Sequence, residues 1–120
     1  MDSIKVSFLI AERILGWTRM SGPDVRFMKP GVSCGFAELC PNFVELPKAQ
    51  TLLREEMSRR GYSLKITHNP ANSEKNEGKT CTAVFILGEK SFESTQPEEN
   101  AAVCFAALLS VGVLPDSVAE

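Results

Sequence analysis

Apolar residues recur along this chain with two different periods, and each period marks an element. Val6, Ile10, Ile14 and Trp17 fall on one stripe of a helix predicted over residues 4–17, widened by Phe8 and Leu9, while Lys5, Glu12 and Arg13 face out. Gly16 frays its end and lets Trp17 turn back onto the core. Leu46 to Arg60 repeats the helical period, with Leu46, Ala49, Leu53 and Met57 in line, Leu52 beside them, and Lys48, Arg54, Glu55, Arg59 and Arg60 on the wet face. Gly61 is placed to close that helix, and Arg59 and Arg60 complement the negative end of its dipole. The period then changes. Tyr62, Leu64, Ile66 and His68 alternate with Ser63, Lys65 and Thr67, which predicts a strand covered on one side. Thr80 to Leu87 predicts a second strand, and its later half, residues 83–87, is apolar on both faces, as in a strand held between layers. Phe92 marks a brief edge strand.

The strongest stretch is 94–113. Thr95 and Glu98 have capping-box spacing, Pro97 suits a first helical turn, Glu98 and Glu99 sit at the positive end of the dipole, and Gly112 is placed to end the helix. Between these signals, Ala101 to Leu109 is an unbroken run of nine apolar residues. Such a helix must be buried on nearly every side, yet a bilayer span needs about 20 apolar residues. Ala102, Ala106 and Ser110 make a small-residue row, with Val103 and Ala107 alongside, and Phe105, Leu108 and Leu109 supply bulk opposite. Both sides therefore need cover, from neighbouring helices or from a second subunit. The second subunit is the favoured expectation, giving a homo-oligomer through the 95–112 helix.

Residues 18–46 break the pattern with Pro23, Pro30 and Pro41 and with Gly22, Gly31 and Gly35. Residues 24–28 and 32–36 are two short strands around Lys29-Pro30-Gly31, or the whole segment is an ordered loop; connections this long are often functional. Residues 69–79 read as a polar loop, and the tail 114–120 as frayed. The 120 residues are expected to form one domain, 1–120, that buries about two thirds of its surface without disulfides or metal.

Charge and composition mainly exclude. A net charge of −2 gives no general attraction to a phosphate backbone, so non-specific nucleic-acid binding is not expected. Glu12 and Arg13 interrupt the apolar N-terminal run, and no small-residue cleavage site follows, so it reads as a soluble helix rather than a signal peptide. Cys34, Cys40, Cys81 and Cys104 form no Cys-x-x-Cys pair and are expected to be free thiols in a reducing cytosol. Gly78-Lys79-Thr80 imitates the end of a phosphate-binding loop, but Ser73 stands where that loop needs glycine and a strand follows where it needs a helix. His68 is the sole histidine, with no nucleophile or orienting carboxylate marked by spacing, and reads as a strand-end residue. Cys34 and Cys40 with one distant histidine suggest no zinc site. Glu98 and Glu99 are adjacent on a helix and point apart. No catalytic residue, cofactor or metal is expected, and the chain is read as not an enzyme.

The ordered features resemble a family of small phage and prophage proteins, the phage ABA sandwich domains. The residues that carry this are Ile10-Ala11-Glu12-Arg13-Ile14-Leu15-Gly16-Trp17, the middle helix preceded by Pro41, and the Ala101 to Gly112 helix ahead of Val113. The stretch Phe43-Val44-Glu45-Leu46 departs from the Tyr-Ser-Thr-Asp-like start of the middle helix common in that family, and Leu46 before Pro47 is a poor N-cap. The resemblance implies an α/β fold, a three-layer α/β/α sandwich of about three helices around a small mixed or antiparallel sheet, in a virus-encoded protein of the bacterial host cytoplasm. It implies no reaction. By analogy with other small accessory phage proteins, the expected role is binding, for example sequestering (sponging) a cyclic nucleotide immune signal. Such a binder stacks bases on aromatic faces and holds phosphates with cations, which makes Trp17, Arg19, Arg26, Phe27, Lys29, Tyr62, His68 and Lys79 the candidate ligand residues. The rival expectations are an adaptor or inhibitor that binds a host or phage protein through an exposed face, and a small structural subunit. Arg26→Ala is expected to leave the urea midpoint nearly unchanged.

Overall fold

The computed structural model describes residues 3–20, 26–28, 38–70 and 79–113. Its frame is an antiparallel meander of β4 (Ser63–Asn69), β5 (Thr80–Leu87) and β6 (Lys90–Gln96), in that spatial order. The register sets Leu64 against Phe85 and Phe85 against Phe92, Ile66 against Ala83, and His68 against Cys81. Because side chains alternate along a strand, these residues share one face. Cys81, Ala83 and Phe85 on that face are buried. The opposite face carries Lys65, Thr67, Glu93 and Thr95, all exposed, around half-buried Thr82 and Val84. Ile86 and Leu87, expected between layers, are 36% and 38% exposed.

On the inner face lies α3 (Glu99–Ser110). Its far side is covered by α1 (Ser3–Leu9), by the π-helical turn Ile10–Ile14 that continues α1, and by α2 (Pro47–Arg59). All of Ala101 to Leu108 is at most 7% exposed within one chain. The cover that was assigned to a second subunit is thus supplied internally, and burial of this helix gives no reason for a subunit contact. A second small antiparallel sheet, β1 (Thr18–Met20), β2 (Arg26–Met28) and β3 (Glu38–Leu39), adjoins α1, where Phe27 packs on Phe8 at 5.5 Å between ring centroids. The fold is the expected α/β class, with three helices and antiparallel sheets.

Local differences have physical causes. The expected capping box does not form: Thr95 belongs to β6, its hydroxyl 2.8 Å from that of Thr82, and α3 starts at Glu99 without a side-chain cap. The brief strand around Phe92 is instead seven residues long, paired with β5 from Lys90 to Gln96. Where one regular helix was expected over 4–17, bonding shifts to the wider π pattern, with Leu15 N–H reaching the Ile10 carbonyl at 3.0 Å and Trp17 N–H reaching that of Ala11 at 2.8 Å. In α2, Gln50 joins Ala49, Leu53 and Met57 on the buried stripe, while Leu46 and Leu52 are exposed. Residues 26–28 of the expected 24–28 strand are β2; the expected strand 32–36 and the tail 114–120 lie outside the described residues.

Two helix ends follow the expectation closely. Gly61 (φ 96°) and Gly112 (φ 83°) adopt left-handed conformations. Around them, Tyr62 N–H bonds Met57 and Gly61 N–H bonds Ser58, as Val113 N–H bonds Leu108 and Gly112 N–H bonds Leu109. Both are Schellman motifs, each using carbonyls the helix would leave unpaired. Arg60 then donates to the Ile14 carbonyl and to Glu56, tying α2 to the π turn. Phe105→Ala is expected to cost about 3–5 kcal/mol of unfolding free energy in urea, the range for emptying a core aromatic position. Ile86→Ser, on the open sheet face, is expected to change it by no more than about 0.5 kcal/mol.

Candidate functional site

The first turns of α2 and α3 meet at one end of the sheet, and polar side chains concentrate there. Asn42 shapes the approach to α2: its Oδ1 accepts from Val44 N–H (3.0 Å) and Glu45 N–H (3.1 Å), a turn that substitutes for the cap Leu46 cannot provide. Gln50, buried at 4% exposure, donates through Nε2 to the Phe43 carbonyl at 2.7 Å and accepts from Arg54 Nε at 2.8 Å. Arg54 Nη2 reaches Glu99 Oε2 at 2.9 Å and Asn100 Oδ1 at 3.4 Å, and Asn100 Nδ2 returns to the Val44 carbonyl at 3.0 Å. The other oxygen of Glu99, Oε1, lies 3.2 Å from His68 Nε2. An open concavity of about 230 Å³, lined by Pro47, Gln50, Thr51, Arg54, Glu99 and Asn100, sits over this network. A second, of about 290 Å³, lies beside it against Gln96, Pro97, Glu98 and Ala101.

The electrostatics favour an anion. The N-terminal ends of α2 and α3, each with a partial positive charge, meet beside the Arg54 guanidinium. Glu99 is the anion that now sits there, partly exposed and pinned between Arg54 and His68. Nearby thiols are poor nucleophiles. Burial pushes Cys104 up to about 12, against the opposing effects of its Gln50 hydrogen bond and of Arg54. Burial also raises Cys81, Glu99 adds to that, and Arg54 works against it. Cys40, at the other end of the core, is raised by burial to about 11, with Arg19 lowering it and Glu12 raising it. The described cysteines are free thiols.

The eight residues expected to contact ligand are not gathered in one place. His68 lies at the end of the sheet, where it meets Glu99 beside Arg54, and Lys79 immediately precedes β5; both are exposed. Trp17 and Phe27 are core residues, 9% and 1% exposed; Trp17 packs on Phe43 and Phe27 on Phe8, so neither ring offers a face for a base. Tyr62 is half-buried against Phe85 and Phe92. Arg19 lies over the rings of Phe8 and Phe27 at 5.0 and 5.7 Å and pairs with Glu12 at 2.7 Å, a cation packed on the small sheet. Arg26 is exposed on the same sheet, and Lys29 lies outside the described residues. Sequence reasoning passed over Gln50, Arg54, Glu99 and Asn100. The available signal was a glutamine on an apolar stripe with arginine four residues on, a pair that share a helix face.

Among solved structures, the chain is similar to the 2.0 Å crystal structure of a phage protein from Bacillus cereus ATCC 14579. The TM-score is 0.66 at 18% sequence identity, over 94% of this chain and 90% of that one. At that identity the likeness shows a shared fold. No family model and no curated protein matches the sequence. No helix among the described residues is long and apolar enough to cross a membrane.

Two measurements check the site. Gln50→Leu keeps the volume but removes the bonds to Phe43 and Arg54, and is expected to cost about 1–3 kcal/mol in urea unfolding. Because the Cys104 thiol titrates higher in the folded chain than in the unfolded one, its contribution to stability is complete below about pH 9 and is lost as pH rises toward 12. Stability is expected to fall above pH 9, and Cys104→Ala should reduce the slope by up to about 1.4 kcal/mol per pH unit.

Proposed function

We propose that this is a phage-encoded accessory protein that acts by binding rather than by catalysis, and that its ligand is a phosphate-bearing nucleotide, an immune signal it sequesters intact in the host cytoplasm. The observation that carries this reading is the convergence of the α2 and α3 N-termini on Arg54 over an open concavity. Helix N-termini and arginine are the usual holders of phosphate oxygens. Glu99 then acts as a resident stand-in for the ligand, displaced when a phosphate arrives, while His68 and Lys79 add positive or hydrogen-bonding groups on the sheet side. The shared fold with a phage protein supports the origin. The high thiol pKa values at Cys81 and Cys104 support binding without covalent chemistry. The concavity is smaller than the roughly 300–1,000 Å³ of a pocket that encloses a whole ligand, so it suits a phosphate with its base and sugar lying outside.

A second reading rests on a different surface. The outer face of β4-β5-β6 presents Val84 and Ile86 within a rim of Lys65, Thr67, Glu93 and Thr95. An adaptor or inhibitor would meet a protein partner there.

Calorimetry against a panel of linear and cyclic nucleotides separates these readings. Sequestration predicts one member bound and released chemically intact on heating. Arg54→Ala should weaken it by about 10–100-fold, the worth of a hydrogen bond to a charged group. A degraded product would instead identify an enzyme, and silence across the whole panel would rule out sequestration.

A further inference from the structure

One cluster beside the Arg54 cleft has a chemistry of its own. His68 near the end of β4, Cys81 near the start of β5 and Glu99 at the first residue of α3 bring a ring nitrogen, a thiol sulfur and a carboxylate oxygen all within 4.8 Å of one another. The sheet register makes this meeting obligatory on one side: His68 and Cys81 are directly opposed in the β4–β5 ladder, so their side chains leave the same face. The third donor arrives from the helix laid across that face.

The separations suit a single ion. Two ligand atoms at about 2.0–2.3 Å from a tetrahedral zinc stand roughly 3.3–3.8 Å apart. His68 Nε2 and Glu99 Oε1 are already 3.2 Å apart, and the two pairs with sulfur, within 4.8 Å, need to close by up to about 1.3 Å. Glu99 is oriented for the role, since Arg54 holds its Oε2 at 2.9 Å and leaves Oε1 turned toward His68, the kind of outer contact that fixes ligating carboxylates. The thiols also divide. Cys40 donates to the Ser7 and Pro41 carbonyls, and Cys104 to the Phe43 carbonyl. Among the described thiols, Cys81, 2% exposed, is the one that stands beside an imidazole and a carboxylate.

We propose that His68, Cys81 and Glu99 form a three-ligand site for a divalent transition metal of the zinc class, with its fourth position open beside exposed His68. A nitrogen, sulfur and oxygen donor set selects zinc or cobalt over magnesium or calcium, which take oxygen ligands. Binding exchanges the Cys81 S–H bond for a sulfur–metal bond and releases that proton to solvent. Three protein ligands with one open position is the arrangement of zinc sites that take up a further ligand, rather than of closed structural sites. The site shares Glu99 and His68 with the nucleotide reading, but its probe is the metal alone, so the two readings fail separately.

The test is titration of the full chain with Co²⁺, read by absorption, followed by competition with Zn²⁺. The expected result is one equivalent bound, with a thiolate-to-cobalt charge-transfer band and the intense visible bands of a tetrahedral site, both removed by Zn²⁺. Cys81→Ser should lose the charge-transfer band, and His68→Gln, an exposed position, should lose stoichiometric binding while keeping the circular dichroism of the parent. Cys40→Ala should bind as the parent does. Absence of a stoichiometric band in the parent overturns the site. So does a band that survives Cys81→Ser, or one that disappears in Cys40→Ala.

Discussion

A helix without a polar face has to be surrounded, and the rest of this structure follows from that requirement. From Ala101 to Leu108 every side chain of α3 is removed from water, although the helix has only 12 residues. One chain manages this by laying the helix on a three-stranded sheet and closing over it with α1, the π turn and α2. Small residues make the close approach possible, since Ala101, Ala102, Ala106 and Ala107 and the facing Ala83 add little bulk. Phe43, Phe85 and Phe105 fill the spaces that remain. Enclosing α3 leaves the sheet with helices on one face, which is why the other face is lined by threonine, lysine and glutamate.

The same requirement explains the polar cluster at the helix start. The carbonyls of the loop before α2 need partners, because the loop is crowded between two helix starts and cannot reach water. Asn100 and Cys104, four residues apart on one side of α3, reach the Val44 and Phe43 carbonyls, and Gln50 meets Phe43 from α2. Gln50 is buried because it satisfies those groups, not because its position on the stripe is apolar. Arg54 extends the network to the surface and ends it on Glu99. A packing necessity therefore produces the concentration of charge and hydrogen-bonding groups from which the functional proposal is drawn.

How legible each part was in the sequence depended on whether its cause was local. Strand β5 runs from Thr80 to Leu87 as its composition indicates, and the Schellman glycines Gly61 and Gly112 end their helices where expected. Strand β6 was nearly invisible because its outward residues Ser91, Glu93 and Thr95 are polar and Phe92 is its sole large apolar inward residue; pairing with β5, rather than its own pattern, makes it a strand. That pairing also overrode the capping signal at Thr95, whose hydroxyl is engaged across the ladder by Thr82. Trp17 and Phe27 looked like ligand platforms because aromatic rings serve cores and binding sites alike, and only burial separates the two uses. The meeting of His68, Cys81 and Glu99 could not be read from spacing at all. It depends on a strand register and on where a helix is laid down, and both are tertiary facts.

The position of α3 along the chain has a consequence for how the molecule is made. The element at the centre of the core is the last of the described helices to be synthesised, after both sheets and both flanking helices. Until residues 99–113 have emerged from the ribosome, the apolar faces of α1, α2 and the meander have nothing to close upon. Domains generally fold as units, and the contacts that complete this one join α3 to α1 and to the π turn. Closure of the core therefore waits for residues 99–113, and the nascent chain carries its exposed apolar faces until then. Chaperone supply during that interval would govern how much of the protein reaches its native state.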